Sequence, residues 1–184
     1  MKNSIYLIVI FFLVLAGCQK QPKQYPNVSI EQVFQDLKWD YNYAKVKNIL
    51  ETRYGLEFIE ELKPRKPLKN KGLNKDNFKV FSFEGGKFSG LKSDEWRVAF
   101  LNDSLFDVFV MIPSETPKKC AQTVLDLKDT INNLPYEKFP RINYEWILQK
   151  KGEAVGSIQL TNSFGKGIMV FITNNKLNNT CLYK

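Results

Sequence analysis

Histidine is absent from all 184 residues. Without an imidazole there is no Ser-His-Asp or Cys-His nucleophile system, no histidine-ligated zinc and no imidazole acid–base chemistry near neutral pH. Sulfur is scarce: three cysteines and three methionines, with no C-x-x-C pair, which argues against a thiol oxidoreductase. Glycines are present, but not in nucleotide-binding patterns. Gly165-Lys166-Gly167 lacks the upstream glycine and the following hydroxyl of a phosphate loop. Gly85-Gly86 and Gly90 follow a strand pattern without opening a helix. Lys87-Phe88-Ser89-Gly90 puts a serine near glycines at a spacing unlike a nucleophile elbow, and no D-x-[DN]-x-[DN]-G calcium loop occurs. The chain reads as non-enzymatic, with no metal or cofactor implied.

What is present suits one folded domain. Apolar residues make up 43% and aromatics 14%, more than a disordered chain carries, and the length is enough to bury a core. Lysine and arginine number 27 against 19 acids, a formal charge of +8.

The N-terminus carries an address. Lys2 precedes an uncharged apolar run from Ile5 to Ala16. That run reaches about 18 Å as a helix, short of a roughly 30 Å hydrocarbon core, so it fits a signal-peptide hydrophobic region and not a membrane span. It ends in Leu15-Ala16-Gly17-Cys18, which resembles the lipobox of bacterial lipoproteins. The resemblance implies a diacylglycerol on the Cys18 sulfur, cleavage before Cys18 and acylation of the new amine. It further implies a bacterial cell-envelope protein held in the membrane by its N-terminal lipid. Gln19 after the cysteine points to the outer membrane, with the domain facing the periplasm. Cleavage removes Lys2 and no acid, leaving +7. The expected organisation is residues 1–17 as signal peptide, 18–28 as a lipidated tether carrying Pro22 and Pro26, and 29–184 as a single domain.

Export changes how Cys120 and Cys181 are read. An oxidising compartment permits a disulfide between them. Closing a loop of about 62 residues would contribute roughly 4 kcal/mol by the chain-entropy argument. The alternative is two buried thiols that never meet.

The periodicities predict an α+β fold: a mostly antiparallel sheet of about six strands, with an N-terminal helical segment and a middle amphipathic helix packed on it. Ser29 and Gln32 have capping-box spacing. Asp40 is the candidate cap for a second helical stretch ending at Gly55, and residues 29–54 form one bent helix or two. Leu56 to Leu62 reads as a short strand. From Phe78 the period becomes two: Phe81 and Phe83, then Trp96, Val98 and Phe100, a turn at Asn102-Asp103, and a return through Phe106, Val108, Val110 and Ile112. That return strand is apolar on both faces except at Asp107, which makes it central. Thr116-Pro117 opens a helix whose face is Cys120, Val124, Leu127, Ile131 and Leu134. Strands follow at about 142–149, 154–161 and 168–173. A turn at Asn174-Asn175 leads to a last segment with Leu177, Cys181 and Leu182.

Two groups invite a functional reading. Asp94-Glu95, Glu60-Glu61 and Asp107 are the acids that a carboxylate-based glycan hydrolase would draw on. For Asp107 the plainer expectation is an edge position facing solvent or a salt bridge. The basic segment carries Lys63, Arg65, Lys66, Lys69, Lys71 and Lys75 and would attract anionic lipid headgroups, lipopolysaccharide phosphates or an acidic protein face; a solvated loop is the plainer reading. Export argues against nucleic acid as partner. The reading is a membrane-anchored lipoprotein of binding or envelope-accessory type, with an immunity lipoprotein against a periplasm-acting toxin as the narrower alternative.

Overall fold

A computed structural model describes residues 24–63, 77–141, 144–163 and 167–174. Helix α1 (Ile30–Asp36) starts as its spacing predicts. The Ser29 hydroxyl accepts from the Gln32 amide at 3.1 Å, and the Gln32 side chain accepts from the Ser29 amide at 2.8 Å. A turn closed by the Tyr41 amide on the Lys38 carbonyl interrupts the helical path, so α2 (Tyr43–Thr52) is a separate helix. That turn also moves the helix start past Asp40. The cap is Asn42, whose Oδ1 accepts from the Lys45 amide at 3.1 Å, and this corrects the expectation of Asp40. Helix α3 (Pro117–Asn132) is capped by Thr116 with proline in its first turn, as expected.

The fold is α+β and dominated by sheet. Among the described residues the main sheet has eight strands, all paired antiparallel: β2 (Glu57–Leu62), β3 (Phe78–Glu84), β6 (Glu95–Leu101), β7 (Ser104–Pro113), β11 (Gly167–Thr173), β10 (Glu153–Ser163), β9 (Glu145–Lys150) and β8 (Glu137–Arg141), in that spatial order. Strand β7 is fourth of the eight, the central place its two apolar faces predict. Asn102 and Asp103 both adopt positive φ, 51° and 60°, in the tight turn before it. Strand β8 has no signature in the sequence. Its Glu-Lys-Phe-Pro-Arg stretch is poor in strand formers, and Pro140 is tolerated because β8 is an edge strand.

A second, three-stranded sheet joins β1 (Asn27–Val28), parallel, to β4 (Lys87–Phe88), which pairs with β5 (Leu91–Lys92). Residues 25–28, expected in the tether, therefore belong to the folded domain, and Val28 is buried.

The three helices among the described residues supply one core on one face of the sheet. Ile30, Val33, Val46, Leu50, Leu127 and Ile131 meet Phe83, Trp96, Val98, Val108, Val110 and Ile172 there. A register shift between Ala99 and Phe100 turns Phe106 and Asp107 together to the other face, where Phe78, Ala99, Leu101 and Phe106 form a smaller cluster. The Asn174-Asn175 turn and the last segment with Leu177 and Leu182 lie outside the described residues past Asn174.

Candidate functional site

Strand register gives the sheet two ends. Glu84, Glu95, Met111 and Gly167 lie at one; Phe78, Leu101, Ser104 and Thr173 lie at the other. The latter end carries a groove of about 690 Å³ between the α1–α2 connection and the β9–β10 hairpin. Trp39 is its wall. The indole Nε1 donates to the Val155 carbonyl at 2.7 Å, and the ring stands edge-on to Phe34 at 6.2 Å. Gly156 makes this approach sterically feasible: a Cβ there would lie 2.8 Å from Phe34 Cε1 and 3.2 Å from Trp39 Cζ2. Strand β10 also shifts register between Ala154 and Gly156, which bends the strand at the wall.

Charge lines the groove mouth. Lys38, Lys150 and Lys151 border it with Asp40 and Glu153. Lys38 Nζ donates to the Phe34 carbonyl at 3.3 Å. Lys151 adopts a positive φ of 53° in the hairpin turn. Among the described residues none of the three lysines forms an ion pair. The strands expected at about 142–149 and 154–161 leave residues 150–153 between them, but the groove is not legible in sequence, because Trp39 and Lys151 are more than a hundred positions apart.

The carboxylates fall differently from expectation. Asp107 is on a central strand, not an edge, and is partly buried on the face opposite the helices. Its Oδ1 accepts from the Thr173 hydroxyl at 2.8 Å. Arg97 is taken elsewhere, its Nε and terminal nitrogen donating to Glu95 at 2.6 and 2.7 Å, with Ser82 donating to the same carboxylate at 2.9 Å. Burial, with no cation beside it among the described residues, pushes the Asp107 pKa up to about 6, while bonds from Thr173 and the Val108 backbone pull it partway down. The expected solvent-facing or salt-bridged Asp107 is thus corrected. Asp107 pairs with Ala99, four residues along β6 from Glu95. That is roughly 13 Å, wider than the carboxyl spacing glycoside hydrolysis uses. Asp94 pairs with Lys92 at 3.4 Å, and Glu60 and Glu61 lie exposed on edge strand β2.

The remaining expected residues divide between described and undescribed. Cys120 is buried in the first turn of α3 with no disulfide partner among the described residues, and Cys18 and Cys181 lie outside them. Lys63 is exposed directly after β2, at the groove's end of the sheet; Arg65, Lys66, Lys69, Lys71 and Lys75 lie outside the described residues. Among the described residues no group of three or more potential ligands could hold a metal ion, and no helix is long and apolar enough to cross a membrane.

No protein-family model, curated protein or solved structure matches this chain.

Proposed function

We propose that this chain is a lipid-anchored envelope protein of binding type, and that its groove at Trp39 receives an acidic segment of a protein partner. One observation carries the reading: Tyr25, near the first of the described residues, lies against Gly85 at one end of the sheet, while the groove opens at the opposite end. A lipid at Cys18 would hold the first end near the bilayer and present the second to the periplasm. The partner chemistry follows from the wall and rim. Trp39 offers an apolar surface with its N–H already satisfied by Val155, and three lysines outnumber the two acids beside them. Complementary charge steers encounter and register more than it adds affinity.

The anchor is tested by intact mass: a diacylglycerol and acyl adduct on Cys18 is expected, and an unmodified thiol overturns it. The groove is tested by cross-linking the acylated protein in membranes and identifying what it captures. Lys38→Glu with Lys151→Glu should reduce capture of an acidic partner about tenfold while leaving the melting temperature within a few degrees. Undiminished capture by the folded double variant overturns the groove as the binding site.

A further inference from the structure

Whatever lies against the membrane is decided by where the folded chain starts. Tyr25 packs its ring onto Gly85, which has φ of +85°; a Cβ at Gly85 would sit 2.8 and 2.9 Å from two ring carbons and 3.0 Å from the hydroxyl oxygen. Pro26 lies against Gly55. Asn27 Oδ1 accepts from the Gly90 amide at 2.6 Å, and the Val28 carbonyl accepts from the Ser89 amide at 2.9 Å. Tyr25, Asn27 and Val28 thus fasten the start of the fold to the turn after β3 and to the β4–β5 hairpin. Five residues lie between Cys18 and Gln24, and fully extended that stretch reaches at most roughly 21 Å. The start of the fold is within that distance of any lipid on Cys18. The groove is a further strand length away, about 20 Å.

The hairpin carries charge in an arrangement that an isolated domain disfavours. Lys87 and Lys92 are directly opposite each other across β4 and β5, and like charges so placed repel. Both are exposed, Lys92 by 80%. Lys92 has Asp94 at 3.4 Å, whereas Lys87 forms no ion pair among the described residues. Glu84 and Asp94 share the surrounding surface.

We propose that this hairpin is the membrane-facing surface of the domain: Lys87 and Lys92 rest on the anionic phosphates of lipid headgroups, and the groove points away from the bilayer. An anionic surface relieves the Lys87–Lys92 repulsion and is the one partner the tether cannot avoid. The proposal rests on the lipid anchor read above. It goes beyond that reading in fixing which side chains face the lipid.

The test uses the full acylated protein in vesicles of phosphatidylethanolamine with phosphatidylglycerol, and in neutral phosphatidylcholine vesicles as reference. A water-soluble amine-acetylating reagent then reads each lysine by peptide mass spectrometry. On anionic vesicles Lys87 and Lys92 should label about fivefold more slowly than on neutral ones, while Lys150 and Lys151 label equally on both. Lys119, which lines a surface depression with Lys92 and Asp94, should slow about twofold as a bystander. Lys87→Glu with Lys92→Glu should keep the protein in the vesicle fraction but abolish the slowing at Lys119. Slowing retained at Lys119 in that variant, or equal labelling at both ends with Cys18 lipidated by intact mass, overturns the orientation and leaves the anchor standing. An unlipidated Cys18 overturns both.

Discussion

Asp107 holds its carboxyl between a threonine hydroxyl and apolar strands, and its pKa in the fold, about 6, stands above its ordinary 3.8. The sign of the consequence follows from linkage. A raised carboxyl pKa favours the protonated form in the fold, so this residue's contribution is fully present below about pH 4 and is lost as pH rises through 6. The loss amounts to about 2 to 3 kcal/mol once ionisation is complete. Asp107→Asn keeps an acceptor for Thr173 and cannot ionise. Urea unfolding from pH 4 to 7 should show the variant gaining about 2 kcal/mol over the native chain across that interval; parallel pH profiles would refute the burial argument. Gly167 is a second single-residue constraint. With φ of +140°, a Cβ there would fall 2.1 Å from the Ile112 carbonyl oxygen. Gly167→Ala should therefore lower unfolding free energy by about 3 kcal/mol, read by denaturant melts.

At the scale of elements, local chemistry and tertiary contacts share control unequally. Capping signals are short-range, so Ser29 with Gln32 and Thr116 with Pro117 are readable directly. The start of α2 is not, because Asp40 and Asn42 are both good caps and the Lys38–Tyr41 turn selects between them. Asn42→Ala should cost about 1 kcal/mol and Asp40→Ala roughly a few tenths at most, by thermal melts of the two variants. Equal costs would place the helix start elsewhere. Strands divide in the same way. Alternation locates β3, β6 and β7, whereas β8 owes its conformation to pairing with β9 and has little intrinsic strand preference.

For the whole molecule, the N-terminal boundary matters most. Tyr25 to Val28 join the fold through two glycines and a short parallel ladder. A chain beginning at Gln24 should melt like the longer protein, whereas one beginning at Ser29 should lose about 3 kcal/mol, with Phe88 left uncovered. Identical melts would return residues 25–28 to the tether. The candidate groove belongs to this scale too, since it joins the α1–α2 connection to the β9–β10 hairpin and Asn174. In sequence Trp39 is one residue of the helical stretch 29–54; only contact with Phe34, Val155 and Gly156 makes it a wall.

The α+β class, the capped helices and the central place of β7 are written in the linear order of residues, because caps act within four residues and burial on both faces of a strand leaves an unbroken apolar run. The lipobox-like leader gives an expected address, and the missing histidine a short list of excluded chemistries. Other features exist only once the chain is folded: Asp107 is central with no cation beside it among the described residues, Arg97 belongs to Glu95, and Tyr25 and the groove lie at opposite ends of the sheet. Those are relations between residues far apart in the chain, and strand register, which brings them together, is set by the packing of the whole sheet.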